Sequence, residues 1–302
     1  MLKLTALQPG DRIAIAAPAS PFDKIEFEKG IHTLQQLGFH PFFREDLFSK
    51  NRYLAGKDER REEELIDFLK DPEIKAILFA RGGYGCLRLL PTLNSHKEKF
   101  IPKIILGYSD ITTLLLFFQQ TLKWPVFHGP VVAKAMGDSF SEAGKKSLMQ
   151  ILTQRNPLGF CHPSSLNYFQ GGKAEGIFTG GCLSLLCASL GSPYEVQTKG
   201  KILFLEDTQE KLYKIDRMLT QLKLAQKLDS ISGLILGPFE HCDAPYDEII
   251  NLVVERVGRP EIPMLAGLPT GHQDNMQTFP MGVTVQIDSQ TEGINFIESP
   301  FL

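Results

Sequence analysis

The first half of this 302-residue chain alternates short apolar, β-branched runs with segments of helical periodicity, and that alternation limits its folds more than any other feature. "DRIAIAAPAS" (11–20) reads as a buried strand entering a Pro-rich loop, and "FDKIEFEKGIHTLQQLGF" (22–39) as a helix with a glycine near its end. "HPFFRE" is a short second strand, "DERREEELIDFLKD" a charged amphipathic helix, "IKAILFA" a third strand and "IIL" (104–106) a fourth. Strands joined through helices run parallel, so the spacing predicts an α/β N-terminal domain: a parallel sheet with helices on both faces. Ligands bind at the carboxyl ends of such strands, where "ARGGYG" (80–85) and "GYSD" (107–110) fall.

A chain of this length accommodates two domains. "RNPLGFCHPSSLNYFQGG" (155–172) has Pro, Ser, Asn and Gly with little periodicity, which predicts a linker at about 156–171. It would join an N-terminal domain, 1–155, to a smaller C-terminal α/β domain, 172–302. There "KILFLED" and "ISGLILGPF" read as strands, "KIDRMLTQLKLAQKL" and "YDEIINLVVERVG" as helices.

Charge and cysteine content narrow the function classes. Lys and Arg number 32 against 35 Asp and Glu, so the chain lacks the basic excess that a nucleic-acid or anionic-membrane partner demands. The apolar run at Ile13 to Ala17 is only strand-length, so neither a signal peptide nor a membrane span is expected. Five cysteines with no CxxC pair suggest neither zinc nor a disulfide framework, and a reducing cytoplasm is the expected compartment. No metal and no cofactor is expected; no G-x-x-x-x-G-K-[ST] is present and the glycines at 83 and 85 lack the third glycine of a dinucleotide fingerprint.

Ser109 stands where the strand "IIL" must become a helix. A serine on such a turn has its hydroxyl pushed out of the chain, beside the free N–H groups of a helix start, which suits a nucleophile. An N-cap made by "SDIT" is the plainer reading, and Ile111 departs from G-x-S-x-G. A serine nucleophile needs a base and the base needs an orienting carboxylate. Of seven histidines, His272 in "GLPTGHQDN" sits in a Gly- and Pro-rich loop that can present a side chain to a cleft; His128 in "VFHGP" reads as structural or as a pocket wall. Glu206 ends the apolar run "KILFLE", where a carboxylate is rigidly held, although a surface acid at a strand end fits too. Asp207 beside it points the other way. The glycines of "ARGGYG" either make a tight turn or let backbone N–H groups approach a ligand.

Together "ARGGYG", "GYSDIT", "FTGGCLSLL", "LFLEDTQEKLYKIDRML" and "GLPTGHQDNMQTFPMG" resemble the LD-carboxypeptidases in order and rough spacing, over nearly the whole chain from "GDRIAIAAPAS" onward. These are cytoplasmic serine peptidases of murein recycling, and the microcin-immunity peptidases share their fold. The resemblance implies a Ser–Glu–His triad of Ser109, Glu206 and His272 at the domain interface, with the N–H groups of Gly83 and Asp110 as oxyanion donors. It also implies a homodimer, and a reaction that releases the terminal D-Ala of a murein tetrapeptide. A free terminal carboxylate needs an Arg or backbone N–H partner, for which Arg81 is the candidate. The chain has Gln209, Glu210, Lys211 and Leu212 where relatives often carry Gly-Glu-Pro-type residues, and Cys182 where Asn is frequent. Two other activities fit the residues: a microcin-immunity type peptidase cutting acyl-sulfamate or peptidyl-nucleotide compounds, and a non-catalytic small-molecule binding protein.

Overall fold

The computed structural model describes residues 2–138 and 140–302. The chain forms two compact units: Met1–Arg155 with Asp274–Pro280 and Pro300–Leu302, and Asn156–Gln273 with Met281–Ser299.

In the first unit five strands, β1 (Arg12–Ala16), β2 (His40–Phe42), β3 (Ile74–Phe79), β4 (Ile104–Gly107) and β5 (Val126–His128), alternate with helices. The helices are α1 (Lys24–Gln36), α2 (Asp58–Lys70), α3 (Leu90–His96), α4 (Thr112–Thr121) and α5 (Glu142–Thr153). All four pairings among these strands are parallel, in the order β2-β1-β3-β4-β5. A late segment, Phe279–Met281, adds an edge strand beside β5. Ile13, Ile15, Ile77, Leu78, Ile105 and Leu106 are fully buried, as continuous apolar runs in a covered parallel sheet require. Each such side chain contributes about 1.5–3 kcal/mol of transfer free energy. Asp23 caps α1 by accepting the Glu26 amide at 3.0 Å.

The order reverses at β1, whose neighbours β2 and β3 lie on opposite sides, and the loops leaving β1 and β3 meet there. The Ser20 amide donates to the Gly82 carbonyl at 3.3 Å, and the Tyr84 amide donates to Ser20 Oγ at 3.2 Å.

The second unit is built on an eight-stranded mixed sheet. Its strands are β6 (Gly159–Cys161), β7 (Asn167–Gln170), β8 (Lys173–Cys182), β9 (Lys201–Thr208), β10 (Gly233–Glu240), β11 (Met264–Ala266), β13 (Thr284–Asp288) and β14 (Gly293–Phe296), counting the edge strand Phe279–Met281 as β12. The centre, β8-β9-β10-β11, is parallel; β7 pairs antiparallel with β11, and β13, β14 and β6 continue antiparallel from β8. Helices α6 (Leu183–Ala188), α7 (Leu212–Leu224) and α8 (Tyr246–Val257) follow β8, β9 and β10.

The composition of 156–171 predicts a linker, but the structure places two strands there. β6 and β7 are three and four residues long and occupy the two edges of the sheet. Edge strands this short need no sustained apolar alternation, and Pro and Gly are tolerated beside them.

Candidate functional site

Ser109 follows β4 in a single 3-10 turn, Ser109–Ile111, that runs straight into α4. Its φ is +64°, a left-handed conformation that costs a non-glycine residue roughly 1–2 kcal/mol. The strand-to-helix reversal forces this geometry and turns the serine side chain out of the chain path. Gly107, two residues earlier, must lack a side chain: a Cβ there would lie 2.7 Å from Ile111 Cγ2 and 3.1 Å from Phe79. Ile111 therefore packs into the space that Gly107 leaves open.

The glycine loop lies against this turn. A Cβ on Gly82 would stand 2.8 Å from Ser109 Cβ, 2.9 Å from its Oγ and 3.4 Å from the Asp110 amide nitrogen. Backbone from two loops thus converges on the hydroxyl, with Gly83 next in sequence at φ +110° and exposed. The sequence-predicted residues Ser109, Asp110 and Gly83 are accordingly brought to one place in the first unit. Arg81 is also on this loop; it is exposed, and its Nη1 donates to the Pro21 carbonyl at 2.8 Å. His128 is fully buried in β5, beside Gly107 in the sheet register.

In the second unit Glu206 sits near the carboxyl end of β9 with no exposed surface. Its Oε2 accepts from His272 Nδ1 at 2.7 Å and from the His272 amide at 3.1 Å. The double contact fixes both the ring and the backbone of the histidine. It is possible only because Gly271 has no side chain: at φ +118° a Cβ would fall 2.5 Å from Glu206 Oε2. Burial lowers the His272 pKa, but the hydrogen bond to Glu206 and the charges of Glu206 and Asp207 outweigh it and raise the value above the ordinary 6.5. With Nδ1 bound to a carboxylate, Nε2 is the nitrogen that can exchange a proton with a substrate or nucleophile.

Asp207, adjacent along β9, does point elsewhere. It accepts from the Ser184 amide at 2.8 Å and the Thr208 amide at 2.9 Å, so it secures the start of α6. Burial, then the neighbouring Glu206 charge, push its pKa up. Gly271, Ser20, Arg61 and the side chain of Asp110 are contributors that sequence reasoning missed. Only Gly271 carried a signal, as the residue between Thr270 and a candidate base in a Gly- and Pro-rich loop. Among the described residues, no group of three or more His, Cys, Asp or Glu is placed to hold a metal ion, and no helix is long and apolar enough to cross a membrane.

Two family models together match most of the chain. A family model for the LD-carboxypeptidase N-terminal domain matches residues 13–129, and one for the LD-carboxypeptidase C-terminal domain matches 175–287. The chain is 35% identical to the probable murein peptide carboxypeptidase of Bacillus subtilis, over 95% of this chain and 92% of that protein. It is 31% identical to the murein tetrapeptide carboxypeptidase of Pseudomonas aeruginosa, over 93% and 94% respectively. Among solved structures, a mutant of the Microcin C7 self immunity protein MccF in complex with adenosine monophosphate superposes over the whole of both chains with a TM-score of 0.92 at 26% identity.

Proposed function

Because the chain belongs to the LD-carboxypeptidase family, we propose that it is a serine carboxypeptidase acting on murein peptides, with Ser109 as nucleophile, His272 as general base and Glu206 as the acid that orients it. The observation that carries this reading is the 2.7 Å bond between Glu206 and His272 Nδ1. A buried carboxylate held against one ring nitrogen fixes the tautomer that a serine hydroxyl needs in a base.

In this mechanism His272 Nε2 takes the Ser109 proton as Oγ attacks the carbonyl before the terminal D-Ala. The N–H groups of Gly83 and Asp110 meet the developing oxyanion. The imidazolium, stabilised by Glu206, then protonates the leaving amine, and water repeats the sequence to release the shortened peptide. Arg81 is the candidate partner for the terminal carboxylate. Its bond to the Pro21 carbonyl uses one nitrogen of a five-donor guanidinium, so a bidentate acceptor can still be met. Five free cysteines, three of them buried, fit a reducing compartment, and cytoplasmic action as a homodimer completes the reading.

The likeness to a microcin self-immunity protein in complex with adenosine monophosphate favours a second reading, hydrolysis of an acyl-sulfamate or peptidyl-nucleotide by the same residues. The two separate on substrate. Incubation with disaccharide tetrapeptide, followed by mass spectrometry, is expected to show loss of one alanine. Turnover of an aminoacyl sulfamoyl adenosine with none of the tetrapeptide would select the second reading instead.

A further inference from the structure

The Gly85–Cys86 peptide is held at both ends by buried charged side chains. Its carbonyl accepts from Arg61 Nη1 at 3.1 Å, and its N–H donates to Asp110 Oδ2 at 2.8 Å. Arg61 reaches in from α2 with no exposed surface; the same Nη1 also donates to the Pro18 carbonyl, and its Nη2 pairs with Asp58. Asp58 is held in turn by Arg88, whose Nε lies 2.8 Å away. Asp110 is 2% exposed and is the residue directly after Ser109. One guanidinium and one carboxylate therefore stitch together the loop after β1, the glycine loop after β3 and the serine turn after β4.

Resting on the function proposed above, we propose that Arg61 and Asp110 are positioning residues. Their contacts to the Gly85–Cys86 peptide hold the glycine loop so that its N–H groups face the oxyanion formed at Ser109. Gly82, Gly83 and Gly85 have no Cβ with which the loop could limit its own conformations, and the last two lie at φ +110° and +139°. Oxyanion donors are effective only when their direction is set before the reaction, so a loop this permissive requires external ties. Stability alone does not account for them. An apolar replacement of equal volume usually stabilises a core as well as a buried ion pair does, so the pairing with Asp58 and the two loop carbonyls do not by themselves explain a buried guanidinium. A Cβ at Gly85 would lie 2.6 Å from Arg61 Nη1, so that glycine admits the clamp as well as the turn.

The test compares Asp110→Leu, which keeps the branched shape with bulkier methyl groups but removes the acceptor, with Asp110→Asn, which keeps an acceptor oxygen. Steady-state release of D-Ala from disaccharide tetrapeptide is measured for each, together with the rate at which an alkyl fluorophosphonate labels Ser109. That probe requires the same donors, because serine attack displaces fluoride and places a phosphoryl oxygen where the oxyanion would lie. The expected result for Asp110→Leu is a fall of about 10²-fold in kcat and in labelling rate, with KM changed less than about threefold. Asp110→Asn is expected to restore kcat to within about fivefold of the parent protein. A leucine variant that melts at lower temperature yet keeps kcat and labelling rate overturns the positioning role. Where that variant is insoluble, Arg61→Met, which keeps an unbranched side chain but has no donor for the Pro18 and Gly85 carbonyls, is judged by the same two rates. The function and the clamp fail separately: turnover surviving in Ser109→Ala removes the nucleophile itself, whereas turnover lost there and kept in Asp110→Leu removes only the clamp.

Discussion

The two halves of the proposed triad are prepared by different physics. At Ser109 the preparation is steric: a left-handed backbone, Gly107 pressed under Ile111, and Gly82 against the serine itself. At His272 it is electrostatic: a carboxylate with no solvent contact, touching both the ring and the backbone of the histidine. A steric device is insensitive to pH and fails through backbone change. An electrostatic one fails through loss of a single charge and leaves its record in the pH profile.

Substitutions can separate the two. The largest effect is expected from Ser109→Ala, a loss of turnover on the order of 10⁶-fold, measured as D-Ala release, with the fold intact by circular dichroism. The same site tests the strain. Ala ordinarily exceeds Gly in stability by roughly 0.5–1 kcal/mol, but at φ +64° the order should reverse, so Ser109→Gly should melt above Ser109→Ala. Glu206→Gln is expected to cost on the order of 10⁴-fold in kcat, and Asp207→Asn less than about tenfold; the opposite ranking would mean that Asp207 is the orienting acid. Gly271→Ala should lower kcat by about 10²-fold by forcing the backbone away from Glu206, with Glu206 itself unaltered.

The smallest effect is a shift along the pH axis. A general base works deprotonated, and the His272 pKa lies above 6.5, so the acidic limb of kcat/KM should fall above that value. Glu206→Gln weakens the hydrogen bond and removes the charge that do most to raise this pKa, leaving burial, which lowers it, opposed by the Asp207 charge. The residual activity of Glu206→Gln should therefore extend to lower pH than that of the parent protein. A limb that stays in place would assign the titration to another group.

The sequence makes some of these parts readable and hides others for physical reasons. β1, β3 and β4 are buried on both faces, so their apolar runs are continuous, and α1 shows its spacing because one side meets the core. Ser109 and His272 are legible because turn residues surround them. Arg61 and Glu64 were not. In "DERREEELIDFLKD" they look like any charges on a solvated helix, yet both are fully buried, Arg61 on loop carbonyls and Glu64 on the Ala17 amide at 2.8 Å. Periodicity records apolar faces, and a charged residue that turns inward to meet distant backbone leaves no mark on it. β6 and β7 escaped for the related reason that short edge strands carry no pattern of their own.

The chain passes between its two units four times, since Asp274–Pro280 and Pro300–Leu302 return to the first. On the ribosome, the six-stranded sheet cannot acquire its edge strand Phe279–Met281 until nearly all of the chain has been synthesised. The unit that carries Ser109 thus waits, incomplete, through translation of the unit that carries His272. Polypeptides truncated by premature termination or proteolysis before residue 279 will expose the flank of β5, an open strand edge that invites aggregation and marks the fragment for degradation.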